Sequence, residues 1–144
     1  METQNFKNHS RIVPGFHIGL YLILIACLVS SISNLIKTFN NNSEIIMASL
    51  LFLLTIAAIL LTWYSRRFAL IAQDRAIRAE ENLRHFVLTG KLPDSRLTID
   101  QLIALRFAED TEFTLLAEKA AHENMKPAAI KKAIINWKPD LHRV

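Results

Sequence analysis

Two stretches without a charged side chain constrain this chain more than any other feature in it. Between Arg11 and Lys37 lie 25 consecutive residues free of Asp, Glu, Lys and Arg, and between Glu44 and Arg66 lie 21 more. A helix of about 20 apolar residues is as long as the ~30 Å hydrocarbon core of a bilayer is thick. Each stretch is therefore long enough to cross one. With 51% apolar residues and a mean hydropathy of +0.23, a chain of 144 residues carries more apolar surface than a solvated globule of that size buries. Three glycines, four prolines and one cysteine exclude collagen-like repeats, a disulfide scaffold, a zinc ribbon and most glycine-rich phosphate loops.

The net charge of +4 suggests nucleic acid as a partner until it is divided along the chain. Residues 64–91 hold six basic side chains (Arg66, Arg67, Arg75, Arg78, Arg84, Lys91) against Asp74, Glu80 and Glu81, a balance of +3 that begins where the second apolar stretch ends. From Thr98 to Lys138 six basic and six acidic residues cancel. The excess is juxtamembrane, where each cation beside anionic headgroups is worth about 1 kcal/mol. Basic flanks stay in the cytoplasm. Lys7 and Arg11 precede the first stretch and four arginines follow the second, so both termini are expected there, with the lipid bilayer and its anionic headgroups as first partner. The first stretch exceeds the apolar core of about 7 to 15 residues of a secretory signal, so it reads as a retained helix.

The resulting expectation is an all-α chain: a transmembrane helical hairpin whose long second helix extends into a small cytoplasmic helical bundle. Residues 1–13 form a cytoplasmic segment, 14–36 the first span, 37–44 an external loop, 45–64 the second span, 65–90 a helical stalk and 91–144 a three-helix domain. Trp63, Tyr64, Arg66 and Arg67 are the interface anchors of the second span. No Gly or Pro interrupts Glu44 to Thr89, and Asp74–Arg78, Glu80–Arg84 and Glu81–His85 are acid-before-base pairs at i, i+4, so the second helix is expected to run on as the stalk until Gly90 caps it. Small residues suit helix association in lipid. Gly15, Gly19, Ala26, Ser30 and Asn34 in the first span, and Ala48, Thr55, Ala58 and Thr62 in the second, are the expected packing stripe.

Beyond the turn at Pro93-Asp94-Ser95, Thr98-x-x-Gln101 reads as a capping box with Leu97 and Leu102 as its hydrophobic staple. The helix it opens should end near Ala108. Asp110 or Thr111 should cap a fourth helix that Asn124 closes, and Pro127 should start a last one carrying Ile130, Ile134 and Trp137. The expected core of this tail is Leu102, Leu105, Phe107, Phe113, Leu116, Ile130, Ile134 and Trp137.

Gln4-Asn5-Phe6-x-Asn8-His9, Glu81-Asn82-x-Arg84-His85-Phe86-x-Leu88-Thr89-Gly90-Lys91, Arg96-Leu97-Thr98-x-x-Gln101-x-Ile103-Ala104-Leu105-Arg106-Phe107-Ala108 and Ile130-Lys131-Lys132-Ala133-Ile134-x-Asn136-Trp137 together resemble a family of small bacterial two-span membrane proteins of unknown function, the domain of unknown function 6526 type. The resemblance covers nearly the whole chain. It implies two spans and a helical tail, and carries no assigned activity from which catalytic residues could be transferred. Lys126 departs from the pattern, which favours a Ser or similar cap before Pro127.

The residues themselves name no catalytic, cofactor-binding or metal-binding set. Cys27 lies in mid-span and reads as a small packing residue. Glu81 and His85 stand one helical turn apart, as an ion pair or as two ligands of an incomplete metal site. The leading expectation is a non-enzymatic docking adaptor or accessory subunit without a cofactor, its tail meeting a protein partner or a second copy. The alternative is a membrane-tethered nucleic-acid-binding regulator, for which Arg106, Lys119, Lys126, Lys131 and Lys132 would have to converge on one face.

Overall fold

The computed structural model describes residues 4–9, 12–41 and 44–140. Five α-helices run along them: α1 (Tyr21–Asn41), α2 (Ile45–Thr89), α3 (Ile99–Leu105), α4 (Asp110–His122) and α5 (Pro127–Ala133). A wider, π-helical turn, Gly15–Leu20, leads into α1. The all-α class read from the sequence is the class the chain adopts. The chain forms two compact units, Ile12–Phe68 and, among the described residues, 4–9 with 69–140.

In the first unit α1 and α2 pack as an apolar hairpin. The inward side chains of α1 are Leu24, Leu28, Ser31, Leu35 and Thr38, and those of α2 are Ala48, Phe52, Thr55, Ile59 and Thr62. Both sets alternate steps of four and three, the spacing of left-handed helix pairs. Of the expected packing stripe, Ala48, Thr55 and Thr62 lie on this seam, and most of the rest do not. Gly15, Ala26, Ser30 and Ala58 are exposed and Gly19 half-buried, and a Cβ added to either glycine would meet nothing within 4 Å. The physical reason is drift: a strict four-residue repeat such as Ala26, Ser30, Asn34 walks around the helix, whereas the alternating four and three steps of Leu24, Leu28, Ser31 and Leu35 stay on the seam. The seam hydroxyls bond within their own helices, Ser31 to the Leu28 carbonyl at 3.0 Å, Thr55 to Leu51 at 2.9 Å and Thr62 to Ala58 at 2.9 Å. No polar group of theirs faces outward unmet.

The expected loop at 37–44 is also shorter than read. Thr38 to Asn41 are helical, with the Thr38 hydroxyl donating to the Asn34 carbonyl at 2.8 Å, because nothing between Leu35 and Asn41 breaks a helix. Glu44, at φ 56°, opens α2. Asn42 and Ser43 lie outside the described residues. The helix α2 then runs without interruption for 45 residues, as the absence of Gly and Pro leads one to expect, and Gly90 closes it at φ 73° with its N–H on the Phe86 carbonyl at 2.7 Å.

In the second unit the capping box forms as read: the Gln101 N–H meets the Thr98 hydroxyl while the Gln101 side chain accepts from the Thr98 N–H. Asn124, at φ 47°, ends α4, and the Met125 N–H returns to the Ala120 carbonyl at 3.1 Å in a Schellman closure. Three boundaries differ from the expectation. The helix α3 ends at Leu105, three residues before Ala108, because residues 107–109 pair with 136–138. Glu109 stands at the N-cap of α4 without a side-chain cap, and Asp110 is already helical. The last helix stops at Ala133, so Trp137 lies in extended chain instead of on α5. There the Glu112 carboxylate accepts from the Ile135 and Asn136 N–H groups at 3.1 and 2.9 Å, and residues 136–138 pair with 107–109, Lys138 N–H to Phe107 carbonyl at 2.8 Å and Glu109 N–H to Asn136 carbonyl at 3.1 Å. These bonds satisfy the backbone that another helical turn would have used.

Candidate functional site

The helical repeat sets Ile77, Glu81, Arg84 and His85 on one face of α2, and the tail buries that face. Arg84 is its centre. Its Nη1 donates to Glu81 Oε2 at 3.0 Å, its Nε to Asp110 Oδ1 at 2.6 Å and its Nη2 to the Ala108 carbonyl at 2.6 Å. Its guanidinium lies 4.3 Å from the Phe113 ring centroid. The expected Glu80–Arg84 and Glu81–His85 pairs give way to these contacts, because the docked tail supplies Asp110 and a carbonyl where an isolated helix supplies only its own i−4 neighbour. His85 turns away from Glu81: its Nδ1 donates to the Lys91 carbonyl at 2.8 Å, which fixes the proton on that nitrogen, and its ring meets Phe113 edge-on at 6.0 Å.

Burial lifts the Glu81 carboxyl above its ordinary 4.5, and the Arg84 charge and hydrogen bond pull it part of the way back. At Asp94 the sign is opposite: on the exposed turn, hydrogen bonds from the Arg96 side chain and backbone hold its carboxyl well below its ordinary 3.8. A raised carboxyl binds its proton more tightly in the folded state. The stability this contributes is complete below pH 4.5 and is lost as pH rises through the raised value. Glu81→Gln should flatten that decline in urea unfolding of the full chain in detergent between about pH 4 and 7. An unchanged slope would mean that another group carries it.

The second cluster gathers on Phe107. Trp137 packs against its ring in a tilted arrangement at 5.1 Å between centroids, His9 meets it edge-on at 5.9 Å, and Arg106 and Lys131 lie 4.6 and 5.6 Å from its centre. His9 arrives through a turn built by its neighbours. Asn5 N–H donates to Asn8 Oδ1 at 2.6 Å, Lys7 N–H to Asn5 Oδ1 at 2.9 Å and His9 Nδ1 to the Phe6 carbonyl at 2.7 Å, leaving Nε2 to accept from Lys131 Nζ at 3.3 Å. Gln4 Oε1 accepts the Asp140 N–H at 2.7 Å. Residues 4–9, read from sequence as part of a cytoplasmic N-terminal segment, thus belong to the C-terminal unit. Its signal was available in the crowding of Gln, Asn and His, whose side chains build turns and bond backbone.

Between α2 and residues 138–140 opens a cleft of about 210 Å³ lined by Gln73, Ile77, Glu80, Glu81, Arg106 and Lys138. It is smaller than the 300–1,000 Å³ or so of ordinary ligand pockets. Arg106 Nε sits 3.0 Å from Asp140 Oδ2. Acidic and basic groups alternate around the cleft, an arrangement suited to joining α2 to the chain end.

Of the residues expected to matter, Leu102, Leu105, Phe113, Leu116, Ile130 and Ile134 lie in the core of the second unit, with Phe107, and Trp137 is partly buried against it. Trp63 and Tyr64 are exposed on α2, Arg67 is exposed, and the Arg66 guanidinium lies 5.4 Å from the Phe16 ring. Cys27 is exposed on α1. Among the described residues, no three His, Cys, Asp or Glu side chains gather as a metal-ligand group.

A family model described as "Family of unknown function (DUF6526)" matches residues 1–144. Neither a curated protein nor a solved structure matches the chain.

Proposed function

We propose, for a chain that belongs along its whole length to the family of unknown function DUF6526, a non-enzymatic role: an inner-membrane adaptor or accessory subunit, held by two spans with both ends in the cytoplasm, whose C-terminal unit docks on protein. The observation that carries docking is the surface of that unit. Its core is closed and its interior charges are engaged with one another, yet Leu83, Phe86, Val87, Leu92, Leu115 and Ile135 stand between 51% and 83% exposed. Large apolar side chains left on a surface otherwise able to bury its core mark contact with another molecule.

Anchoring is supported by the hairpin. The most apolar stretches of the two candidate spans are only 11% and 6% buried, the reverse of core helices in a soluble domain. The fold of residues 4–9 onto the tail fits two spans, which return the chain to the side it started from. The arginines after the second span assign that side to the cytoplasm. The nucleic-acid alternative has less support: of the five cations it needs, Arg106 is engaged with Asp140, and Arg106 and Lys131 both lie over Phe107.

Reporters joined to either end should be active only in the cytoplasm, and one inserted at Asn41 only outside. The tagged full chain, purified in mild detergent, should retain a protein partner or a second copy that Ile135→Glu or Leu83→Glu releases. An active external reporter at the C-terminus would sink the topology. A tight, steeply salt-dependent shift of duplex DNA would replace docking with the regulator.

A further inference from the structure

The helix α2 has a second apolar face. Ile77, Glu81 and His85 point into the tail, and on the opposite side of the same turns lie Ala72, Ala79, Leu83 and Phe86, with Ala76 at the edge of that side where it also borders the cleft beside residues 138–140, all exposed. Their steps of four, three, four and three residues are those of a coiled-coil seam, with Ala76 and Leu83 at a positions and Ala72, Ala79 and Phe86 at d. A helix already satisfied on one side needs only charged and polar residues on the other. This one carries alanines of a size that lets two backbones approach, followed by a leucine and a phenylalanine at its far end.

We propose that this face packs against the same face of a second copy of the chain, as a parallel two-stranded coiled coil over residues 72–86. Charge selects the occupant and its direction. In a parallel pair each g residue meets the e residue five positions on in its partner. Arg75 at g then meets Glu80 at e of the other copy, twice per dimer by symmetry, and the next pair, Asn82 with Val87, carries no charge. An antiparallel pairing sets g against g and e against e and loses the complementary contact. Parallel, in-register alignment also follows from anchoring: two copies inserted with one topology present the same residues at the same height above the bilayer. The proposal rests in this respect on the membrane reading above, and it names the partner for one part of the docking surface.

The test uses the full chain in phosphatidylethanolamine–phosphatidylglycerol vesicles, with Cys27→Ser as background and single cysteines introduced as Ala72→Cys, Ala79→Cys or, off the seam, Arg78→Cys. Mild oxidation should link the first two into dimers and leave the third monomeric. Arg75→Glu or Glu80→Arg, added to Ala79→Cys, should each lower the dimer yield several-fold, and the two together should restore it, a recovery that misfolding does not produce. Equal yields at all three cysteines, no dimer at the seam, or failure of the double reversal to restore it would each overturn the pairing. Alkaline carbonate extraction of the same vesicles separates the two claims. A chain retained in the membrane without seam cross-links refutes the coiled coil alone, and a chain released from the membrane refutes the anchoring and the pairing that depends on it.

Discussion

Arg84→Ala should cost the C-terminal unit about 3 to 5 kcal/mol, the penalty for leaving a buried charge without its partner. The side chain is 11% exposed, and its loss leaves the buried Glu81 carboxylate and the Ala108 carbonyl without their donor and takes the cation off the Phe113 ring. Asp110 is 62% exposed and reaches water, so its share is small. Amide exchange on the full chain in detergent should show loss of protection through α4, whose first turn Arg84 holds to α2. Arg84→Met combined with Glu81→Gln removes the charge as a pair and should recover most of the loss. A single-mutant cost below about 1 kcal/mol would place Arg84 among ordinary surface ion pairs. The knot lies where α2 meets the tail, within the C-terminal unit, and holds the first turn of α4 to that helix.

Phe107→Ala should be of the same size, about 3 to 5 kcal/mol, because the ring is fully buried and surrounded by side chains that cannot all close on the cavity. Its signature differs. His9 contacts the Phe107 ring, so the variant should release residues 4–9, seen as rapid proteolysis near Phe6, and should shift Trp137 fluorescence to longer wavelength in a Trp63→Phe background. Trp137→Ala should cost less, since Trp137 is only partly buried at the edge of the same cluster. If residues 4–9 keep their protection without the Phe107 ring, the hydrogen bonds of Gln4 and His9 hold the segment by themselves.

The amino-acid sequence was sufficient for whatever depends on near neighbours along the chain. Charge-free length identified the two apolar helices, the missing Gly and Pro made the second one continuous, and Thr98 with Gln101, Asn124 and Gly90 marked their helix ends, because caps are satisfied within a few residues. The periodic apolar residues of the tail identified its core for the same reason.

What required the tertiary structure was every choice among partners distant in sequence. Glu80 and Asp110 are both acceptors that Arg84 can reach, and only the docking of α4 decides for Asp110. The halt of the last helix at Ala133 depends on Glu112 and on residues 107–109, more than 20 positions away. The seam of the hairpin could not be read from small residues alone, since a helix shows several stripes at nearly the same spacing and the facing helix selects one. The N-terminal turn is the clearest case: Asn5 and Asn8 build it locally, but its place against Phe107 and Lys131 comes from contacts between opposite ends of the chain, a pairing that no spacing within one sequence encodes.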